Sequence, residues 1–311
     1  MTESRQPAAN DEVLVRRARP DDREAVLAFC AQTWSEGDYI ESVWDDWMAD
    51  ERGAFLVAES GGRPVGIVHM RMIAEDEAWL EGMRVDPALR RQGAGRVLVS
   101  RALVAAREAG ASVARLFTSA SNIASQRLVA QFGFTRVAEV VQYDASAASA
   151  DVQGPGQDDT VPAGARLTAP GVAAFERVWA WLEQSTLSPF NGGLEFLGWA
   201  ARGLTEPALR EYLAAGNVWL LEEWDTIQAL AVAVVGEPRH DGGRRLDVRY
   251  IDGLSEAIGR LALALRQLAS QREAASVQLW LPDLLILVDA MNAAGYTRDE
   301  DGAMWVYARE L

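Results

Sequence analysis

The sequence contains very few residues that could form disulfides or metal sites. Its 311 residues include one cysteine, Cys30, and two histidines, His69 and His240. A single cysteine cannot form a disulfide within the chain, and the helical apolar pattern around Cys30 favours a place in the core over a role as nucleophile. Two histidines do not supply the ligand cluster of a metal site, so we predict no metal. His69 falls in a predicted strand and is interpreted as a core or groove residue, with a catalytic role as the alternative.

Long apolar segments and positive charge are also lacking. No stretch approaches the roughly 20 apolar residues of a membrane-spanning helix, and the N-terminus does not have the pattern of a secretory leader. The 30 basic and 45 acidic residues give a formal net charge of −15. Nucleic acid is disfavoured as a partner, because Lys and Arg contacts to phosphate supply most of the affinity for it. The sequence therefore predicts a cytoplasmic protein with no membrane or nucleic-acid partner, and its charge suits a cationic ligand.

What the sequence does contain is a strand pattern over residues 79–85 that leads into a basic, glycine-rich turn and then into a helix pattern. This segment reads Arg90-Arg91-Gln92-Gly93-Ala94-Gly95-Arg96. Glycine lets the backbone approach a ligand, and the N–H groups and dipole at a helix N-terminus attract an anion. We therefore predict a pyrophosphate site here. An ordinary helix start is one alternative, and a dinucleotide-binding turn is another, although Leu98 replaces the third glycine that such a turn requires.

The turn resembles the coenzyme A-binding motif of the GNAT N-acetyltransferase superfamily, whose pattern is Gln/Arg-x-x-Gly-x-Gly/Ala. Arg90, Gly93 and Gly95 meet this pattern. Val85 and Pro87 fit the segment that precedes the turn in that family. A short motif gains weight when its structural context is also present, and the downstream sequence supplies that context.

Downstream, a strand pattern over residues 113–118 is followed by a helix that begins near Asn122 and then by Phe132-Gly133-Phe134, as in the family. Ser121 is the expected N-cap of this helix. The resemblance implies that the chain uses acetyl-CoA as co-substrate and binds it through the turn, the strand before it and the start of this helix. The residues assigned to this role are Met83, Arg84, Val85, Arg90, Arg91, Gln92, Gly93, Ala94, Gly95, Arg96, Asn122 and Ser125.

The length of the chain predicts two domains, since 311 residues is about twice a domain of roughly 150. Residues 145–165 lose all periodicity and consist largely of Ala, Ser, Gly, Pro and Asp, which predicts a flexible linker. We therefore expect a first domain over residues 1–144, which carries the coenzyme motif, and a second domain over residues 166–311.

The second domain repeats the first at an offset of about 162 to 164 residues. The matching segments are 55–57 with 219–221, 113–117 with 277–281, and 133–136 with 295–298. At the place of the basic turn the second copy has one glycine, Gly253, and acids instead of arginines. We therefore expect an α/β (α+β) protein with two tandem GNAT folds, each a mixed, mostly antiparallel sheet flanked by helices, of which the second is degenerate and has lost coenzyme binding. An unrelated α/β domain is the alternative for the second half.

The resemblance implies direct transfer of an acetyl group from acetyl-CoA to a bound primary amine. Glu81 is the main catalytic candidate, because an acid in an otherwise apolar strand is costly unless it is used or paired. Leu80-Glu81-Gly82 also matches a sequence of some aminoglycoside-type members, in which the acid meets the substrate amine. Glu81 is therefore expected to accept a proton or to bind the cation. An internal salt bridge to a nearby arginine is the alternative.

The general acid of the family is missing from this chain. A tyrosine that protonates the leaving thiolate often follows the leucine of the second helix, whereas Val129 follows Leu128 here. Ser125 is the assigned substitute, with Ser119, Tyr143 or solvent as alternatives. The thiolate can also leave unprotonated, since thiols titrate near neutrality.

The acceptor is expected to be a small cationic molecule with a primary amine. Acidic and aromatic residues precede the first hairpin, and such a mixture suits an organic cation. The residues assigned to substrate binding are Trp34, Asp38, Tyr39 and Glu81. An ordinary amphipathic helix, with Trp44 and Trp47 in the core, is the alternative for this segment. A protein acetyltransferase acting on a lysine or an N-terminus, and an acyl-CoA-binding pseudoenzyme, are the alternative functions. The chain is expected to be a monomer or a homodimer.

Overall fold

The computed structural model describes residues 13–31, 37–148, 165–238, 243–300 and 302–311. The chain forms two compact units, of which the first comprises residues 1–117, 122–135 and 308–311 and the second residues 118–121 and 136–307. Residues 136–144 thus belong by their contacts to the second unit, and the last four residues belong to the first. The division of the chain at residues 144 and 166 remains a prediction from the sequence, and the predicted linker lies mostly outside the described residues.

The first unit is an αβ layer structure whose strands follow the order β1-β2-β3-β4-β5. Neighbouring strands are antiparallel except for β4 and β5, which are parallel. The predicted strands and the helix after the basic turn are confirmed. The elements are β1 (Leu14–Arg17), α1 (Arg23–Cys30), α2 (Ile40–Ala49), β2 (Ala54–Ser60), β3 (Arg63–Met72), β4 (Glu77–Val85), α3 (Ala94–Glu108), β5 (Val113–Ser119) and α4 (Ile123–Ala130).

Helices cover both faces of this sheet. One apolar cluster joins α1 and α2 to the strands through Phe55, Val57 and Ile67, and this cluster also includes Cys30 of α1. On the other face, Gly66 lies against Leu98 of α3. Because successive residues of a strand point to opposite faces, this arrangement requires an unbroken apolar run, and residues 54–58 of β2 are all buried. Cys30 is 1% exposed, which confirms its predicted place in the core.

The strands β4 and β5 pair only at their beginnings. Residues 77–79 align with residues 113–115, whereas β4 continues to Val85. The pairing of β3 with β4 also changes register, because Ile67 faces Arg84 while His69 faces Glu81. The extra residue in β4 forms a β-bulge at Gly82, whose φ is +64°. Within residues 37–148, the half of β4 that carries the predicted site is therefore paired with β3 but not with β5.

The second unit follows the strand order β7-β10-β11-β12-β13-β6, and β14 also pairs with β6. The elements are β6 (Thr135–Ser146), β7 (Ala165–Thr168), α5 (Phe175–Leu182), α6 (Ser188–Asn191), β8 (Leu194–Phe196), β9 (Ala201–Gly203), α7 (Glu206–Ala214), β10 (Val218–Glu223), β11 (Thr226–Val235), β12 (Arg245–Gly253), α8 (Ser255–Gln271), β13 (Ser276–Pro282), α9 (Leu285–Ala293), β14 (Thr297–Arg298) and β15 (Met304–Glu310). The β8–β9 hairpin forms a separate small sheet.

The order of elements confirms the predicted repeat. The series β10-β11-β12-α8-β13-α9-β14 reproduces the series β2-β3-β4-α3-β5-α4-β6. As in the first copy, the two strands that flank the long helix are parallel and pair only at their beginnings, at residues 245–248 and 276–279. The buried face of α8, which includes Leu261 and Leu265, packs on the core of this unit. The second half is thus a second copy of the same fold rather than an unrelated domain.

The two copies differ in the connection between the strand and the long helix. In the first copy, residues 86–93 separate β4 from α3. In the second copy, only Leu254 separates β12 from α8. None of the helices in the described parts of the chain combines the length and the apolar character needed to cross a bilayer.

Candidate coenzyme and acceptor site

The basic turn has an open, exposed backbone that ends at the start of α3. Arg91 and Gly93 adopt positive φ values of 64° and 95°. The carbonyl oxygen of Gly93 accepts hydrogen bonds from the N–H groups of Arg96 and Val97, at 2.9 and 3.1 Å. The preceding N–H groups, of Ala94 and Gly95, therefore lie at the orphan positions of the helix N-terminus. The structure brings these amides together with the exposed residues Arg90, Arg91, Gln92 and Arg96.

The two glycines of the turn serve different physical purposes. A Cβ at Gly93 would meet no atom within 4 Å, so this glycine is required by its positive φ rather than by space. Gly95 has ordinary helical geometry, but a Cβ there would lie 3.2 Å from Cδ2 of Leu128. Gly95 therefore allows α3 and α4 to approach each other closely, and one glycine shapes the turn while the other sets the helix packing.

The helix α4 begins near Asn122, as expected, but its N-cap is not the predicted Ser121. Asn122 is the N-cap, and its Oδ1 accepts a hydrogen bond from the N–H of Ser125 at 3.1 Å. The prediction that Ser121 caps this helix is therefore wrong, because the helix begins one residue later. Ser125 is partly exposed, and Val129, at the position of the family tyrosine, is fully buried.

Glu81 lies in a cluster of charged and aromatic side chains. Its Oε1 is 3.0 Å from Nδ1 of His69 and 3.1 Å from Nε of Arg71. Nε2 of His69 lies 3.2 Å from Oδ2 of Asp50. The His69 side chain is 2% exposed and the Glu81 side chain 19%. The alternative of an internal salt bridge is thus met by Arg71, whereas the catalytic role of the partly exposed Glu81 stays a prediction.

Trp47 supports this cluster from one side. Its indole stacks on the His69 ring, with 4.6 Å between centroids and 21° between planes. It also lies edge-on to Phe55 and Tyr39, at 5.2 and 6.2 Å. At Gly82 there is no room for a side chain, because a Cβ would overlap with Cη2 of Trp47. The bulge in β4 and the end of α2 are therefore fitted to each other.

Asp38 is not a free carboxylate, because it pairs with Arg84. Its two oxygens lie 2.7 and 3.2 Å from Nε and Nη2 of Arg84, and only 3% of its side chain is exposed. Burial by itself lowers the pKa of Arg84, but the hydrogen bonds and charges of Asp38 outweigh it and raise this pKa. The guanidinium also lies 5.4 Å from the centroid of the half-exposed Tyr39 ring. A residue assigned to the coenzyme and a residue assigned to the acceptor thus form one buried ion pair.

Several residues that the sequence singles out lie outside the cluster around Glu81 or outside the described residues. Trp34 and His240 are outside the described residues. Trp44 and Trp47 are 2% and 7% exposed and belong to the core cluster, as the amphipathic alternative states. Met83 and Val85 lie in the half of β4 that is not paired with β5. In the described parts of the chain, no three His, Cys, Asp or Glu side chains form a group that could hold a metal ion.

Sequence reasoning missed Asp50, Arg71 and Trp47 as neighbours of the candidate acid. The contact between His69 and Glu81 could have been found, because the two residues face each other in adjacent antiparallel strands. Asp50 gives no such signal, since it follows α2 and reaches the strands only through the fold.

Residues 20–134 match the sequence model of a family described as the acetyltransferase (GNAT) family. This segment is a GNAT acetyltransferase domain. It contains the basic turn, Glu81 and Asn122, so the site described above lies wholly inside the GNAT match. No curated protein matches the chain significantly in sequence.

Solved structures extend the similarity of fold to the whole chain. A GCN5-related N-acetyltransferase from Sphaerobacter thermophilus is 15% identical with a TM-score of 0.60, and the match covers 96% of this chain and 95% of that one. The GNAT glucosamine N-acetyltransferase region of a fungal multi-domain β-N-acetylglucosaminidase is 14% identical with a TM-score of 0.59, covering 97% of this chain and 38% of that one. At these identities the likeness is one of fold, and it supports two tandem GNAT folds.

Proposed function

We propose that the first unit transfers the acetyl group of acetyl-CoA to the primary amine of a small cationic molecule. The observation that carries this proposal is the position of the basic turn. It follows the half of β4 that leaves β5, and the partly exposed carboxylate of Glu81 lies in that same half. An anion site and a candidate base therefore occupy neighbouring parts of one unit.

The residues of the turn suit the pyrophosphate of the coenzyme. The amides at the start of α3 and the exposed side chains of Arg90, Arg91 and Arg96 would hold its negative charge. The main chain around Met83 and Val85 would pair with the extended arm of the coenzyme, because β5 does not pair with this half of β4. One amide of this strand would polarise the thioester carbonyl.

The transfer needs a neutral amine. Glu81 would take one proton of the bound ammonium, directly or through water. The amine nitrogen would then form a C–N bond as the C–S bond breaks, and it would lose its second proton to solvent. The thiolate that leaves takes a proton from solvent or from Ser125, because the buried Val129 has no proton to give. A small cationic acceptor fits the partly exposed Glu81 and the half-exposed Tyr39 ring.

A pseudoenzyme that binds acetyl-CoA without transfer is the second candidate. Two observations favour it: Val129 replaces the usual general acid, and Glu81 is already paired with Arg71. The second unit is proposed to bind no coenzyme, because one residue between β12 and α8 leaves no turn for a pyrophosphate. A cytoplasmic location and a monomeric or homodimeric state remain predictions.

The proposal is tested by calorimetric titration of acetyl-CoA into the wild type and two charge-matched variants. The double variant Arg90→Ala, Arg96→Ala removes two exposed arginines from the turn. The control, Arg101→Ala, Arg107→Ala, removes two exposed arginines from the remainder of α3. We expect the affinity to fall at least tenfold in the first variant only, since charge-assisted contacts to phosphate are strong. An equal loss in both variants would contradict the assignment of the turn.

Release of the thiol is measured in parallel with a panel of amines. The panel contains small diamines, polyamines, amino sugars and peptides with a free lysine or N-terminus. Turnover of small cations supports the proposal, whereas turnover of peptides alone indicates a protein acetyltransferase. Binding without turnover of any amine indicates the pseudoenzyme, and no binding by the wild type would refute the coenzyme site.

A further inference from the structure

His69 occupies a position that the proposed transfer does not yet use. It is a buried imidazole between two carboxylates, with Glu81 at Nδ1 and Asp50 at Nε2. A buried polar ring of this kind is costly unless its nitrogens are engaged. The ring plane is set by the stacked indole of Trp47, so His69 has little freedom to move.

The contacts of Glu81 are unequal between its two oxygens. His69 and Arg71, which approach from β3, both contact Oε1. A carboxylate has two acceptor oxygens, so the hydrogen bond between Nδ1 of His69 and Oε1 restrains the rotation of the group and leaves Oε2 for a ligand, while Arg71 adds charge at ion-pair distance. Arg71 is 38% exposed whereas His69 is 2% exposed, and the more rigid contact is therefore the one from His69.

Asp50 lies at the opposite end of the imidazole, within ion-pair distance of Nε2 but without an aligned hydrogen bond to it. Its Oδ1 accepts hydrogen bonds from the N–H groups of Arg52 and Gly53, at 3.1 and 2.9 Å, so its position is set by the turn after α2. Its other oxygen, Oδ2, faces His69. Asp50, His69 and Glu81 thus form a line from a fixed backbone turn to the candidate base.

We propose that His69, held by the stacked Trp47 and flanked by the carboxylate of Asp50, is a positioning residue that orients Glu81 so that its Oε2 receives the acceptor amine. This inference rests on the proposed function for the role of the amine. The contact between His69 and Glu81 is observed in the structure and does not depend on that function. Groups that bind a substrate must be held within about 0.5 Å of their productive positions, so a Glu81 carboxylate that is not held is expected to bind the amine less well.

The first test is spectroscopic and does not require activity. The chain has only two histidines, so imidazole ¹⁵N spectra contain two sets of signals, and His240→Gln assigns them. We expect Glu81→Gln and Asp50→Asn each to shift the ring signals of His69 and to leave those of His240 in place. Unchanged His69 signals in both variants would overturn the proposal.

The second test separates positioning from stability. His69→Ala is expected to raise KM for the most active amine of the panel roughly tenfold or more, with the affinity for acetyl-CoA unchanged. His69→Asn should restore part of this loss, because its amide can donate near the position of Nδ1. Equal KM values in wild type and His69→Ala would overturn the proposal. If His69→Ala does not fold, His69→Asn and the spectra decide.

Arg16 provides the matched control. Its guanidinium, on β1, also bridges two carboxylates of the first unit at 2.7 Å each: Asp22, just before α1, and Glu59, on β2. Arg16→Ala should lower stability without changing KM for the amine, and a rise in KM equal to that of His69→Ala would overturn the positioning role.

If no amine is turned over, the proposed transfer fails. A movement of the His69 signals on titration with spermidine, absent in Glu81→Gln, would still support the positioning of Glu81 for an amine, and no movement would overturn it.

Discussion

Replacing Gly82 with alanine perturbs the bulge of β4 at one atom. The residue has a φ of +64°, and the added Cβ would overlap with the indole of Trp47. The indole cannot move away easily, because it stacks on His69 and contacts Phe55. The substitution therefore combines a conformational cost with a packing cost at the centre of the candidate site.

The expected loss of stability is the sum of these two terms. An L-residue in the left-handed region costs about 1–2 kcal/mol, and an extra carbon in a well-packed core costs about 1–3 kcal/mol. We therefore expect Gly82→Ala to lower the free energy of unfolding by about 2–5 kcal/mol. Gly62 provides the control, since it has a φ of +75° but no atom within 4 Å of an added Cβ. Gly62→Ala should cost only the conformational term, about 1–2 kcal/mol.

The assay is urea denaturation followed by circular dichroism, at matched protein concentration. The same substitution is then made in a Trp47→Phe background, where the outer indole atoms are missing. In that background Gly82→Ala should cost no more than Gly62→Ala, because the overlap is gone. A loss for Gly82→Ala that equals that of Gly62→Ala in the wild-type background would refute the reasoning. So would a loss that is unchanged by Trp47→Phe.

Three further predictions concern buried charge and the thiol of the first unit. Asp38→Ala should lower the free energy of unfolding by about 3–5 kcal/mol, because it removes the carboxylate that offsets the charge of the largely buried Arg84 guanidinium; denaturation checks this, and a loss below about 1 kcal/mol would contradict it. Cys30 should not react with an aromatic disulfide reagent at pH 8 until the protein unfolds, since burial and the nearby Asp38 raise the pKa of its thiol to about 12; thiol release in the native state would show that it is accessible. Burial raises the pKa of Asp22, but its hydrogen bonds, chiefly with Arg16, outweigh this and bring it below its ordinary value. Asp22→Asn should therefore cost stability at pH 7 and progressively less as the pH falls below about 4, where the carboxylate becomes protonated first in the unfolded chain and, at lower pH, in the folded protein. An equal cost at pH 7 and pH 3 would contradict this.

Much of the first unit follows from local patterns in the sequence. The turn at Ser60-Gly61-Gly62-Arg63 predicts a hairpin, and both glycines have the positive φ values that such a turn requires. The basic turn predicts a helix start, and α3 begins at Ala94. These features depend on a few neighbouring residues, because backbone conformation is set by short-range sterics and hydrogen bonds.

The repeat was also visible in the sequence, since segments at a constant offset occupy the same elements in both copies. The difference between the two copies at the place of the basic turn was visible only in part. The sequence predicts the loss of arginines, whereas the structure adds that α8 begins two residues after the end of β12. Helix boundaries are weakly marked in sequence, so the length of this connection required the structure.

The sequence by itself determined the elements, the two copies of the fold and the place of the basic turn, because each rests on residues close together in the chain. Only the tertiary structure decided which side chains meet. Asp38 pairs with Arg84 across 46 positions, and Asp50 reaches His69 of β3 from the end of α2. Such contacts depend on the register of β3 and β4, on the bulge at Gly82 and on the angle at which α2 crosses the sheet. No local pattern encodes these, since they result from packing the whole unit.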